Sequence, residues 1–363
     1  MDHVFSPDVQ GSASIRNHLV AHPAPERQET ASPPLQVALA ENPLEADDAP
    51  QDNDSAYAVS ENSASYQTSL ASSIINYKYE NGRRYHAFRA GTYLLPNDDT
   101  EQDRMDLAHH ISRLLLGGEL FRAPISDNPQ RVLDLGTGTG IWAMDFADEY
   151  PSAEVIGTDL SPIQPKWTPP NCAFEVDDFE AEWLYSKPFD FIHSRELEGC
   201  ISDEDALFRR ALQHLKPGGY IEFQAAFPRW LSDDGTAEKA ENAQSWLKTL
   251  IDGSAKFGKS LEGAIGWKEK LEKAGFVDVK QEIFKKIPIG PWPKDPKLKE
   301  IGRYQIIQQI QAVESYTPRI YSTVLGWKDE EVQVYVAKVR KELKDPSIHL
   351  YAPIYVVYGR KPE

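Results

Sequence analysis

Arg131-Val132-Leu133-Asp134-Leu135-Gly136-Thr137-Gly138-Thr139-Gly140-Ile141 runs from a short apolar strand signal into a loop with glycine at every second position. A helix signal over 141–150 follows and is closed by Pro151. A glycine loop between a strand and a helix lets a ligand approach the backbone and points free helix N–H groups at negative charge. The spacing is selective. A dinucleotide fingerprint needs glycine at the sixth position of G-x-G-x-x-G, where this chain has Ile141, so a glycine-loop oxidoreductase is disfavoured. No Gly-Lys-Ser/Thr follows, which excludes a phosphate-binding Walker loop.

Working outward, further strand signals lie at 153–158, ending at Asp159, at 172–176, ending at Asp177-Asp178, and at 189–193 after the Lys187-Pro188 turn. A helix over 203–215 and the turn Lys216-Pro217-Gly218-Gly219 lead to a fifth strand, 220–223. Strands alternating with helices at these intervals predict a parallel, doubly wound α/β sheet. The rest of the chain continues it: helices over 237–257 and 267–274, a strand over 276–286, a helical insert over 295–343, and a last strand over 351–358. The expected fold is therefore a seven-stranded, Rossmann-like sheet occupying 129–363.

Upstream, Tyr66, Tyr77, Tyr79, Tyr85, Phe88 and Tyr93 surround an Asn81-Gly82 turn. Asn97-Asp98-Asp99 then opens a helix with Met105, Ala108, Ile111 and Leu115 at helical spacing, stopped by Gly117-Gly118. Residues 61–128 are expected to form a mostly helical cap. Residues 1–60 hold ten acids, two bases, seven prolines and only two aromatics, Phe5 and Tyr57. Such a segment buries too little apolar surface to offset its ordering entropy, and a disordered tail is expected. It is read as a solvated leader or as an arm that folds on a partner.

The 363 residues carry a formal charge of −17, with no run of five basic residues, so direct nucleic-acid binding is not expected. Cys172 and Cys200 are too few for a disulfide framework and suit a reducing compartment. No apolar stretch approaches 18 residues and the first residues lack a secretory h-region, so we expect an intracellular protein, cytoplasmic or nuclear, with no membrane span.

The series Asp134-x-Gly136-x-Gly138-x-Gly140, an acid closing the second strand and Asp177-Asp178 after the third resembles the class I S-adenosylmethionine-dependent methyltransferases. The Lys216-Pro217-Gly218-Gly219 turn is a further feature of that family. The resemblance implies S-adenosyl-L-methionine as cofactor, with Asp134, Gly136, Thr137, Gly138 and Gly140 around its amino-acid part. It implies Asp159, with Leu160 beside it, at the ribose hydroxyls. Asp178 or its neighbour Asp177 would then accept from the adenine amino group while Phe179 packs on the ring. Tyr77-Lys78-Tyr79-Glu80-Asn81-Gly82-Arg83-Arg84-Tyr85-His86, Gly91-Thr92-Tyr93, Leu95-Pro96-Asn97-Asp98, Gly140-Ile141-Trp142 and His193-Ser194-Arg195 are similar to the fungal LaeA-like methyltransferases, which include regulators of secondary metabolism. That likeness implies that Arg83, Tyr85 and Tyr93 close over the sulfonium and its carboxylate. A tyrosine face is worth roughly 0.5–2 kcal/mol to a nearby cation.

Methyl transfer from a sulfonium is an in-line displacement, and alignment can supply roughly 7–11 kcal/mol of it. A base is optional. The end of the fourth strand nominates His193 and, less directly, Glu196, with Arg195 either positioning an acidic substrate or pairing with Glu196 or Glu198. The sequence has no Asn/Asp-Pro-Pro-Tyr motif and no clear metal-ligand cluster. Substrate choice is assigned to the cap and the insert around Trp292, Tyr304, Tyr316, Tyr321 and Trp327. Two functions follow: O-methylation of a small molecule in fungal secondary metabolism, or regulation through protein partners or protein methylation.

Overall fold

The computed structural model describes residues 44–46, 77–80 and 82–363. Strands β3 (Arg131–Leu135), β4 (Glu154–Asp159), β5 (Cys172–Val176), β6 (Phe189–Arg195) and β7 (Leu215–Ala226) form a parallel run in the order β5-β4-β3-β6-β7. β9 (Tyr351–Arg360) then adds antiparallel to β7, and β8 (Val277–Pro288) pairs antiparallel with β9 at the edge. The sheet has the expected seven strands but is mixed, with β9 alone running against the other six. The reason is the insert. β8 ends at Pro288, the helical segment that follows stays at that end of the sheet, and the chain re-enters at Tyr351 directly opposite Pro288. A connection that never crosses the sheet returns antiparallel.

Helix α2 (Ile141–Glu149) covers one face, where Trp142 and Phe146 pack on Phe191 and Val132. Helices α3 (Glu204–His214) and α5 (Trp267–Ala274) cover the other, with Phe208 and Trp267 edge-on to Phe223. Alternate residues of each strand therefore serve opposite layers, as a doubly wound sheet requires. Helices α4 (Glu241–Lys256), α6 (Pro296–Arg319) and α7 (Asp329–Leu343) build a second core around Trp246, Val313, Tyr321 and Val339. Tyr321 and Trp327 belong to this packing, Trp292 is buried beside it with its Nε1–H on Leu350 O, and Tyr304 sits edge-on to His110.

The described part of the cap is less helical than expected. It holds a hairpin of β1 (Lys78–Glu80) and β2 (Arg83–Tyr85) and one long helix, α1 (Asp99–Leu115), capped by the Asp98 side chain on Glu101 N–H. The hairpin grips the end of α6. Pro318 has no N–H, which leaves the carbonyl of Glu314 without its helical partner, and Arg83 donates to that carbonyl at 3.4 Å. The same guanidinium bonds Asp98 at 2.5 and 2.9 Å and Ser315 Oγ at 3.2 Å. Arg319, paired with both oxygens of Glu80 at 2.9 Å, lies 3.5 Å over the ring of Tyr85.

The acidic leader expected at 1–60 lies outside the described residues except for Leu44–Ala46, which are not free. Ala46 bridges Pro293, Lys294 N–H donates to Glu45 O, and Leu44 N–H donates to Asp233. Among the described residues, no helix is long and apolar enough to cross a membrane.

Candidate functional site

The C-terminal edges of β3, β4 and β6 open into a cavity of about 390 Å³, within the range of small-ligand sites. The glycine loop forms its floor. Gly136, Gly138 and Gly140 have φ of +64°, +58° and +83°, a region that costs a residue with Cβ about 1–2 kcal/mol. A Cβ on Gly138 would stand 3.0 Å from Met105 Sδ of α1, so the bare backbone is what leaves the cradle open.

Asp134 organises the loop from below. Its Oδ2 accepts from Thr137 Oγ at 2.6 Å, and its Oδ1 faces His193 Nδ1 at 2.8 Å. His193 is fully buried and stacked on Trp142, with centroids 3.7 Å apart and planes 5° from parallel. Burial lowers its pKa, more than Asp134 opposes, so the ring is neutral with its proton on Nδ1 toward Asp134. Asp159 organises the loop from the side: Oδ2 accepts from Gly138 N–H at 2.9 Å and Oδ1 from Ser161 N–H at 2.8 Å. Burial pushes its carboxyl up to about 6.

Of the residues the sequence nominated, Asp134, Gly136, Thr137, Gly138, Asp159 and Leu160 line the cavity, as do Asp178, Phe179, His193 and Tyr93. The two acids differ in position. Asp178 faces the cavity, where Arg89 of the cap holds its Oδ2 at 2.6 Å, while Asp177 caps Asp178 N–H from outside it. Gly140 serves the loop from behind, as the residue that starts α2 and makes room for the Phe174 ring.

Arg83 and Tyr85 are corrections. Neither lines the cavity, because both are used in the clasp between the hairpin and α6. We expect Arg83→Met to lower Tm by roughly 3–6 °C, for a loss of about 1–2 kcal/mol. Its Kd for S-adenosylmethionine should stay within about threefold of wild type in calorimetry; a tenfold rise would restore Arg83 to the ligand.

The cations that do face the cavity were not nominated for the cofactor. Arg104 of α1 is buried between Glu101 at 2.9 Å and Glu196 at 3.4 Å, under the Tyr316 ring. Arg195 donates to His109 Nδ1 at 2.9 Å, and His109 donates through Nε2 to Asp145 at 3.0 Å. It therefore pairs with neither Glu196 nor Glu198. A helix-period pattern marked α1 as amphipathic, but nothing in it told which polar residue the sheet edge would enclose.

A second chamber of about 140 Å³ adjoins the first, and Tyr93, Leu95, Arg195, Glu196, Cys200 and Tyr316 line both. Its other walls are mostly apolar, including Trp230, Trp246, Leu250 and Ile287, with Glu198 after β6 and Gln308 and Ala312 from α6 among the rest. The cap and the insert thus meet around it. Tyr316 is the only one of the insert aromatics singled out above that reaches it.

A methyltransferase-domain family pattern matches residues 102–281. The chain is 42% identical over 296 residues to methyltransferase pytC of Aspergillus terreus, covering 81% of this chain and 91% of that one. It is 36% identical over 291 residues to the secondary metabolism regulator LAE1 of Cochliobolus heterostrophus, covering 78% and 94%. It is 35% identical over 291 residues to the protein-methionine methyltransferase laeA of Emericella nidulans, covering 78% and 76%. The chain belongs to the fungal LaeA-like methyltransferases. It is an S-adenosylmethionine-dependent class I enzyme of a family tied to secondary metabolism, and the glycine cradle, the acid at the tip of β4 and the cavity above them suit that cofactor.

Proposed function

We propose that this LaeA-like methyltransferase moves the methyl group of S-adenosylmethionine to a hydroxyl of an apolar small molecule held in the second chamber. The observation that carries this reading is the chamber itself: it shares a wall with the cofactor cavity and is lined by tryptophan and aliphatic side chains. Such walls exclude water and leave a few polar atoms to orient the ligand.

S-adenosylmethionine supplies an electrophilic methyl on a sulfonium. The chain's own part is placement. Asp159 receives the ribose hydroxyls, Asp178 and Phe179 hold the adenine, and Arg195 offers a guanidinium that pairs with no carboxylate among the described residues to the carboxylate end. Tyr93 and Tyr316 stand where the two chambers meet. His193, nominated above as a base, instead holds Asp134 and walls the cofactor side: it lines the first cavity and not the second.

The test is transfer of labelled methyl from S-adenosylmethionine to a panel of phenols and hydroxylated polycyclic aromatics, run beside fungal total protein. Label in a low-mass, organic-extractable product is the expected result. The likeness to LAE1 and laeA favours a second reading, regulation through protein partners or protein methylation. Label confined to protein would establish that reading and overturn ours.

A further inference from the structure

Beyond β6 the chain kinks sharply. Glu196 has φ +56°, a left-handed conformation that costs a residue with Cβ about 1–2 kcal/mol and tends to persist where a site requires it. Its N–H is held by Gln224 O at 2.9 Å. After this kink Glu196 and Cys200 lie in the wall common to both chambers, and Glu198, between them, lines the second. Glu198 Oε1 accepts from Ala226 N–H at 3.2 Å, which fixes the carboxyl against the end of β7. Its Oε2 is shut off from solvent and has no hydrogen-bond partner. An orphaned carboxylate oxygen in a ligand chamber is costly unless a ligand donates to it.

We propose that Glu198 is the proton acceptor of the methyl transfer: its Oε2 takes the proton of the acceptor hydroxyl as that oxygen attacks the methyl carbon. The inference rests on the hydroxyl-methylation reading above. The bookkeeping of atoms is closed. An oxygen–carbon bond forms, the sulfur–methyl bond breaks with its electron pair going to sulfur, and the proton passes to Glu198 and then to solvent. The products are the methyl ether, neutral S-adenosylhomocysteine and one proton. Gln308 Oε1, also buried and without a partner on α6, offers the same molecule a second acceptor.

The surroundings favour a carboxyl that binds protons well. Burial, with Glu196 nearby, pushes Glu198 up to about 8, outweighing the opposing pull of Arg104. Arg104 is already shared by Glu101 and Glu196, and Arg195 is turned to His109. Tyr93, Tyr316 and Cys200 also face the chambers, and burial raises all three well away from neutral pH. A proton affinity near the working pH is what a general base needs, and such a base contributes typically 10²–10⁴-fold.

A readout independent of turnover exists because S-adenosylmethionine carries a positive sulfur and S-adenosylhomocysteine does not. Both are titrated by calorimetry at pH 7.5 in two buffers of different ionisation enthalpy, into the full-length wild type and into Glu198→Gln. The sulfonium should draw Glu198 into its ionised form. Wild type is expected to release roughly half a proton more with S-adenosylmethionine than with S-adenosylhomocysteine. Glu198→Gln should bind both with little change and lose that difference, and Glu198→Asp should recover part of it. With any hydroxyl acceptor found active, Glu198→Gln should lower kcat about 100-fold and remove the rise of kcat with pH, which in the S-adenosylmethionine complex lies below the value of about 8 of the unliganded chain. An equal proton release for the two ligands in wild type, or a difference that survives in Glu198→Gln, overturns the assignment. Failure of wild type to bind either ligand would defeat the methyltransferase reading instead.

Discussion

Asp159→Ala raises the Kd for S-adenosylmethionine at least about 100-fold in calorimetry, with the protein still folded by circular dichroism. The carboxylate does two jobs at the tip of β4. It tethers the glycine loop through Gly138 N–H and the following turn through Ser161 N–H, and its remaining lone pairs face the cavity where two ribose hydroxyls are to donate. A hydrogen bond to a charged group is worth about 1.5–3 kcal/mol, so losing two costs about 3–6 kcal/mol, and 2.7 kcal/mol already corresponds to a factor of 100.

The same residue sets a pH dependence. The group sits at about 6 in the folded chain, above the usual carboxylate value near 4, so its protonated form is the one the unliganded fold favours. Its contribution to stability is therefore full below about pH 4 and is lost as pH rises through 6. Binding has the opposite sign, because accepting two hydroxyls needs the ionised form. Affinity should fall as pH drops below about 6, and Asp159→Asn should bind weakly with that dependence gone. A wild-type Kd that is flat between pH 5 and 7 would remove Asp159 from the ribose.

Gly140→Val is expected to act through shape rather than charge. At φ +83° a β-branched residue is strained by at least about 1–2 kcal/mol, and its Cβ would fall 2.3 and 2.7 Å from ring atoms of Phe174. The ring is also backed by β4, where Gly157 is bare for the same reason: a Cβ there would meet Phe174 at 2.8 Å. Phe174 is thus seated between two glycines, one opening α2 and one inside the sheet. We expect a loss of about 3 kcal/mol, a Tm lower by roughly 5–10 °C, and a glycine loop too displaced to bind S-adenosylmethionine. Gly138→Val, whose Cβ would meet only the flexible Met105 Sδ, should lose affinity with a smaller fall in Tm. Equal Tm losses in the two variants would sink the account based on Phe174.

How far the site was readable follows from where each interaction lies in the chain. Asp134, Gly136, Thr137 and Gly138 could be placed because the ligand cradle is a local device, a strand end and a helix start separated by a few residues whose types are dictated by backbone dihedrals. Asp159 and Asp178 could be placed because parallel strands of similar length end at one edge, so the residue after each strand signal falls in the same crevice. Arg83 and Tyr85 could not. Their partners, Glu314, Ser315 and Arg319, lie more than 230 positions away on a helix whose missing hydrogen bond comes from Pro318, and no periodicity links them. The segment ahead of the sheet does reach the cavity, through Tyr93 and through Arg89 on Asp178, but its Arg83 and Tyr85 are used in the clasp instead.

Glu198 shows the same limit from the other side. In the sequence Glu196 and Glu198 stand two positions apart in the same loop, and nothing there separates a solvated carboxylate from one sealed in a chamber. What separates them is the kink at Glu196, the N–H of Ala226 and the closure of the chamber by α4 and α6.

The sequence by itself determined the parallel part of the sheet and the glycine loop, since strand and helix periods and glycines at positive φ are short-range requirements of backbone geometry, while the cofactor followed from the family those residues resemble. Only the tertiary structure decided that β9 runs backwards, that the hairpin clasps α6 rather than the ligand, and that an apolar chamber with a lone carboxylate oxygen adjoins the cofactor cavity. Those features arise where segments far apart in the chain exclude water together, and burial of that kind belongs to no single stretch of residues.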